Sequence, residues 1–453
     1  MTATTVLGPA GRTVGRTVGR TVGREVRAGV HWGVAHGLPT LLLRRAAGRG
    51  DLQARLIRVG SLGTDEVFGL VEEIRAQGPL YRSRIGYVAT SHAAVREVLT
   101  SDDFRTGFPT DLGPLGRISR WAAPTTLHPV EPPSLLVTEP PDHTRYRRLV
   151  TRVFTMRAVE RLRERTEEIA TGLLDRLEQR ADEPVDLVEA YCAVLPVTVI
   201  AEILGVPEEE RGRVLDFGSA AAPSLDLGLG LRRYRSVARA LARFDDWLGH
   251  HLDRLRRDPG DDLLSELVAA REDGQGLSET ELKATAGLVL AAGFETTVNL
   301  LGNGIALLHD HPGERARVVA DPTLWPTVVE EALRLDPPVL LTARMAVRDT
   351  VLAGEPVRAG SMVTAILGGA NRDPEVFEDP LRFDVARANA RDHIAFSAGR
   401  HHCLGAQLAR MEGEVGLRAI WDRFPELRLE PGARRRETRI LRGFETLPAT
   451  LRP

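Results

Sequence analysis

The chain is short of sulfur and almost without lysine. Two cysteines, Cys192 and Cys403, occur in 453 residues. So few exclude a disulfide scaffold and fit a reducing compartment. They also exclude a self-contained iron–sulfur cluster, which takes about four such ligands. Lys283 is the single lysine, so any cationic docking surface must be built from arginine. No unbroken run of about 18 apolar residues occurs, which argues against a membrane-crossing helix. The best run, residues 190–206, is interrupted by Pro196 and Glu202 and reads as a buried helix. The arginine-rich N-terminus has no apolar core or cleavage site after it, so no secretory signal is expected and a cytoplasmic location is. The formal net charge of −2 gives no general argument for nucleic-acid or membrane binding.

What is present is an ordinary globular composition, 43% hydrophobic and 27% charged, with chain enough for a large core. Residues 1–62 read as an N-terminal extension. Its first part, 1–28, carries the repeat "GRTVGRTVGRTVGREV" (11–26), a basic tail whose regular glycines disfavour helix. The alternative for this tail is an anchor to an anionic surface with valine on one face. Residues 29–62 suggest short amphipathic helices broken at Gly37-Leu38-Pro39. From 63 to 453 the pattern is one large, mainly α domain with a minor β portion. Residues 64–79 read as a helix stopped by Gly78-Pro79, and 80–90 as a hairpin. Ser278 and Glu281 form a capping box. They open a helix past thirty residues long, apolar enough to cross the centre of the molecule. Residues 218–230, small and carrying Pro223, suggest a mobile loop and a possible lid. Strands are expected near 340–347, 350–367 and the C-terminus.

Cys192 sits inside an apolar helix and reads as a small buried hydrophobe. Cys403 differs. It lies in "FSAGRHHCLG" (396–405), just before a helical pattern. Unsatisfied N–H groups and the positive end of the helix dipole should lower its pKa and favour thiolate. A structural zinc site would need further nearby Cys or His ligands. A cysteine nucleophile would need a base that no pattern picks out. The third use is as an axial ligand to haem iron.

Phe396, Gly399, His401, Cys403 and Gly405 match F-x-x-G-x-[HR]-x-C-x-G, the haem-binding signature of the cytochrome P450 family. "EALR" (331–334) resembles the family's E-x-x-R motif, with Glu331 and Arg334 one helical face apart. "ANRDPEVFEDPLRFDVAR" (370–387) resembles the segment between that motif and the cysteine, and "PPDHTRYRRLV" (140–150) the propionate-binding helix. "AGFETT" (292–297) is similar to the family's [AG]-G-x-[DE]-T.

The resemblance covers about 63–453 and implies a single P450-like domain with its long central helix over haem b. Cys403 would be the axial ligand. His143, Arg147, Arg344 and His401 would meet the propionates, with Phe396, Gly399 and Gly405 shaping the turn. Glu295 and Thr296 would serve catalysis, Glu295 feeding protons and Thr296 bonding dioxygen where Gly293 and the Thr296 hydroxyl interrupt the helix ladder. Glu331 and Arg334 would form a structural ion pair. By position, Phe108, Trp121, Leu288, Ala291, Ala292, Leu340, Leu341 and Phe444 would line an apolar substrate pocket. Phe104 is a further aromatic of that region, and Arg105, Arg117 and Arg120 are either a carboxylate clamp or solvated. His402 reads as a loop residue. Ser397 replaces a glycine common in the family, a change that would tighten the turn.

The expected activity is hydroxylation or epoxidation of a hydrophobic small molecule in natural-product biosynthesis. Oxidative aryl coupling and a non-enzymatic haem sensor are the alternatives. No phosphate-cradling Gly-rich loop is present. Electrons from NAD(P)H would therefore arrive through a separate ferredoxin and reductase.

Overall fold

The computed structural model describes residues 26–58, 64–107, 114–122, 128–151, 156–226, 228–271 and 274–452. Phe108 and the GRTV repeat through residue 25 lie outside them.

Residues 26–47 form one helical run over the rest of the chain. The expected break at Gly37-Leu38-Pro39 is absent. Residues Gly33–Gly37 widen into a π-turn, with the Leu38 N–H bonding Gly33 O, and Pro39 falls within the first turn of Leu38–Ala47. Proline lacks an N–H and crowds the carbonyl four residues back, and a π-turn relieves both problems without ending the helix. After it come α1 (Thr64–Arg75), the antiparallel pair β1 (Tyr81–Arg82) and β2 (Tyr87–Ala89), α2 (His92–Thr100) and β3 (Phe104–Arg105). The helical body follows: α3 (Pro114–Ala122), α4 (Asp142–Thr151), α5 (Met156–Glu178), α6 (Val194–Ile203), α7 (Arg211–Ala221) and α8 (Leu231–Arg257). Then come α9 (Glu279–Asp310), α10 (Trp325–Leu335), β4 (Thr342–Ala346), β5 (Met362–Ala365), α11 (Ala406–Arg423) and β6 (Phe444–Thr446).

The main sheet has the order β1-β2-β5-β4-β3, with only β2 and β5 parallel, in register Tyr87↔Val363. The expected lid segment is less irregular than its composition suggested: 218–221 complete α7, and Ala222–Leu225 make a 3₁₀ turn before α8.

The capping box on α9 is present. The Ser278 hydroxyl accepts from the Glu281 N–H, and the Glu281 carboxylate accepts from the Ser278 N–H. By length and composition alone α9 could cross a membrane, although it holds no unbroken run of about 18 apolar residues. Here it is the core instead, with 72% of its most apolar window buried. Glycines let its neighbours approach. A Cβ on Gly304 would stand 2.7 Å from Leu417, and one on Gly416 2.7 Å from Leu301. Gly413 is similarly pressed between Leu300 and Val329. So α9, α10 and α11 meet at near-backbone contact, and α11 carries the Cys403 turn at its start.

Candidate active site

Cys403 precedes α11 in a turn fixed from several sides. Its N–H bonds Phe396 O at 2.9 Å, and the Ser397 N–H bonds Ile394 O at 2.9 Å. Gly399 has φ +67°, and a Cβ there would meet Leu99 O at the end of α2 at 2.4 Å. That position demands glycine for conformation and for space. Gly405 caps α11 with open space where a Cβ would be. The Phe396 ring lies 4.5 Å under the Arg410 guanidinium.

Glu331 and Arg334 are wholly buried and paired through two bonds of 2.7 and 2.8 Å. Arg334 also donates to the carbonyls of Asn371, Pro380 and Arg382. Glu331 accepts from the Asp384 N–H and from Arg387. The pair therefore pins the 371–387 segment that runs toward the cysteine.

A second network was not foreseen. Glu330 accepts from His393 at 2.9 Å and from Arg410 at 2.7 Å. Burial pushes the Glu330 pKa up, but those two partners outweigh it and hold it near 2. His393 begins the cysteine segment and Arg410 lies on α11, so this acid joins both to α10. Its only sequence signal was a second glutamate beside Glu331.

The Cys403 side chain is solvent-exposed, yet the surrounding protein still strips water from the thiol. The second fact governs its acidity. Burial raises the thiol pKa, and the Gly405 N–H, Arg147 and Arg410 offset it only in part. The expectation of a lowered pKa is corrected: desolvation outweighs the helix terminus. A bound metal cation would reverse this, because coordination deprotonates a thiol.

Around the thiol lie basic groups short of acidic partners. Arg344, on β4, is 5% exposed and donates only to Thr342 Oγ1 and the Ala343 carbonyl. Burial pulls its pKa down to about 10. No acid pairs with Arg344 or Arg147 among the described residues, and the buried His143 Nε2 lacks a partner. The His143 ring stands 4.4 Å from that of His401, whose Nε2 faces Glu139 at 3.3 Å. Burial, then Arg344 and His143, lower the His401 pKa to about 4.

Buried cations without counter-charge are costly unless an anion joins them. The set fits a porphyrin bearing carboxylates and taking one axial sulfur. It does not fit a zinc centre, since no group of three His, Cys or acidic side chains is placed to hold a metal among the described residues.

On α9 most side chains are buried, but Leu288, Ala292 and Thr296 form a half-exposed stripe at i, i+4, i+8. Ala291 is not on it; at 5% exposure it packs into protein. The helix is continuous through Asp310, so no break opens at Gly293. The Thr296 hydroxyl instead donates to Ala292 O at 2.7 Å. Glu295 is buried, its Oε1 2.9 Å from Arg436 Nε and its Oε2 unpartnered. Burial raises its pKa against the pull of Arg436. Arg436, half-buried, links it toward solvent and was also missed. So was Glu412 on α11, pushed up to about 8 by burial.

Of the remaining residues named for the pocket, Leu340 and Leu341 are buried beside Phe68 and Ile366. Phe444, on β6, is buried with Arg435 3.9 Å above its ring. Trp121 is corrected: it is 54% exposed on the outer surface, beneath Arg27. Arg105 faces Glu139 rather than a ligand.

The cytochrome P450 profile matches residues 245–444. Cytochrome P450 140 of Mycobacterium tuberculosis is 52% identical over 425 residues, covering 92% of this chain and 96% of the relative. The chain belongs to the cytochrome P450 family. This P450 is also 39% identical over 393 residues to the vitamin D(3) 25-hydroxylase of Pseudonocardia autotrophica, covering 84% of this chain and 92% of that one. Its structure is similar to that of PksS, the P450 of the Bacillus subtilis bacillaene polyketide synthase. There the TM-score is 0.75 at 33% identity, over 85% of this chain and 97% of PksS. The family makes it a haem-dependent oxidoreductase that takes electrons from outside.

Proposed function

We propose that this P450 hydroxylates or epoxidises a hydrophobic small molecule of the natural-product class, with electrons from NAD(P)H relayed by a separate ferredoxin and reductase. The observation that carries this reading is the convergence of one braced thiol with three basic groups, Arg147, Arg344 and His143, that have no acidic partner among the described residues. Cys403 would hold the haem iron, and Arg147, Arg344, His143 and His401 its propionates. When bound, haem supplies the redox and oxygen chemistry, with thiolate donation favouring O–O cleavage.

The chain's own residues do the rest. Leu288 and Ala292 offer an apolar face beside the Thr296 hydroxyl and favour hydrophobic substrates. Thr296 holds a hydroxyl proton on that face. Glu295, its pKa raised, can hold a proton on the unpartnered Oε2, and Arg436 orients the carboxylate by binding the other oxygen. The named relatives support this reading, one a vitamin D(3) 25-hydroxylase and one the P450 of a polyketide synthase.

The test begins with the haem-loaded protein reduced under carbon monoxide. A red-shifted, thiolate-type Soret band is expected, and Cys403→Ser should abolish it. With ferredoxin, reductase and NADPH, an apolar compound that shifts the ferric spectrum should gain one oxygen atom. Loss of two hydrogens would replace this reading with oxidative coupling, and a chain that binds haem but turns over nothing would be a sensor.

A further inference from the structure

The N-terminal helix has two apolar faces, and only one is covered by protein among the described residues. Its inner face is seated on α8. The Trp32 indole N–H donates to Leu229 O at 2.7 Å, His31 Nδ1 lies 3.0 Å from the Tyr234 hydroxyl, and Ala28 and Trp32 pack on the Leu229–Leu241 cluster. Its outer face carries Leu38, Leu41 and Leu42, which are 42, 45 and 50% exposed.

Helix α3 packs against the π-turn and exposes Ile118 and Trp121 beside the first half of the helix. Arg27 stands 5.0 Å over the Trp121 ring and joins the two helices. Eleven large hydrophobics are exposed among the described residues, and six of them, counting Val26, fall in these two segments. Single exposed apolar residues need no explanation, but a contiguous patch marks an interaction surface.

Charge decides what fits the patch. Residues 1–50 hold eight arginines and one acid, Glu25, a net +7 in a chain whose total is −2, so residues 51–453 carry −9. The outer face runs from leucine into Arg44, Arg45 and Arg49, all exposed, and Arg117 is exposed beside Ile118. A second copy pairing the same face about a two-fold axis would set arginine against arginine. Residues 11–25 of the same chain bring four more arginines and so do not complement it either. A partner that is both apolar and negative does. An interfacial helix inserts leucine and tryptophan at the headgroup boundary, while its arginines meet anionic lipid.

We infer that the outer face of the N-terminal helix and α3 docks the enzyme peripherally on an anionic phospholipid bilayer. The same helix holds the α7–α8 junction through Trp32 and Leu229. Docking therefore brings the segment expected to gate substrate access beside the lipid, where an apolar substrate concentrates.

The test uses the full-length haem-loaded enzyme and sedimented vesicles, so it does not depend on finding a substrate. Binding to phosphatidylglycerol vesicles at low salt should be at least about tenfold tighter than to phosphatidylcholine, and weaker in high salt. Leu38→Ser, Leu41→Ser and Leu42→Ser together should lower it at least about tenfold. Each of Arg44→Gln, Arg45→Gln and Arg49→Gln should weaken it about fivefold. On vesicles the native tryptophan emission should shift to the blue, and Trp121→Phe should remove most of the shift. An unchanged carbon-monoxide spectrum shows that the variants are folded.

The idea is overturned if the native enzyme ignores phosphatidylglycerol, or if the leucine and arginine variants bind it as well as the native enzyme does. It is also overturned if the leucine variant turns a native dimer into a monomer, since a second copy would then be the occupant.

Discussion

Arg334 and His36 both bring basic nitrogen into the interior, one beneath the Cys403 turn and one under the N-terminal helix. Arg334 makes five hydrogen bonds, one for each guanidinium N–H: two to Glu331 and three to carbonyls of the 371–387 segment. His36 leaves its Nδ1 unpartnered and packs its ring 5.3 Å from that of Tyr234. The frame under the cysteine buries charge and pairs it fully. The N-terminal helix buries histidines and keeps them neutral. Burial first, then neighbouring charge, lowers the pKa of His36 and of His128 to about 4. Fully paired buried charge over-determines a geometry. A helix held by an indole bond, a histidine–tyrosine contact and packing belongs to the low-stability end of a fold, where access to a site is regulated.

The largest expected effect breaks the frame. Arg334→Ala leaves Glu331 wholly buried and strips three carbonyls of their donor. A loss of about 3–5 kcal/mol is expected, as for other severed buried pairs. Urea unfolding, followed by haem retention, would measure it. A cost under about 1 kcal/mol would mean that the pair does not brace the cysteine segment. Gly399→Ala ranks next. Its Cβ would collide with Leu99 O while holding a left-handed φ, so the cost should exceed about 1 kcal/mol. The thiolate-type spectrum should weaken, since α2 and the cysteine turn must separate. The same substitution at Gly405, where a Cβ meets no atom within 4 Å, should be far milder.

The third prediction separates the two regions by pH. His36 and His128 have folded values near 4, below the unfolded 6.5, so the unfolded chain binds more protons between those limits. Their contribution is therefore present above pH 6.5 and is lost as pH falls toward 4. His31, lowered in the same direction, adds to this. Glu131, raised by burial, faces His31 at 3.9 Å, and Arg439 faces His36; the first favours histidine protonation and the second opposes it. Glu330 has the same sign but a lower window. Held near 2 against an ordinary 4.5, it stabilises above pH 4.5 and is lost only as pH falls toward 2. Limited proteolysis near residue 26 should therefore accelerate between pH 6.5 and 4.5 while the Soret spectrum holds, provided bound propionates offset the low pKa of His401, which falls in the same window. Simultaneous loss of both would show that the helix and the cysteine frame are one cooperative unit.

Much of the site was legible because it is local. Cys403, Gly399 and His401 lie within five residues, and the capping box is written in four. What was not legible is long-range or a matter of balance. Glu330 meets His393 and Arg410 from 63 and 80 residues away, and nothing in their own neighbourhoods names the partner. The Cys403 pKa was misjudged because sequence displays a helix start but not the packing that desolvates the sulfur. Trp121 was placed in the pocket by position, yet α3 turns it outward beside Arg27. Pro39 signalled a break that the π-turn absorbed.

The smallest effect tests whether the cysteine turn, for all its bracing, still holds strain. Ser397 adopts φ +62°, which side chains with a Cβ avoid, and its hydroxyl is buried without a partner. The left-handed conformation costs about 1–2 kcal/mol, and an unsatisfied hydroxyl about 1–3 kcal/mol. Ser397→Gly removes both. It returns about 0.5–1 kcal/mol through the greater freedom of glycine in the unfolded chain. The balance favours glycine, so the variant should gain at least about 1 kcal/mol in urea unfolding with its carbon-monoxide spectrum unchanged. If it loses stability, or its Soret band moves, then Ser397 contributes a bond near the thiol and the serine is functional. A gain would place the residual strain of the frame at this one residue, two positions before Gly399, where glycine is already in place.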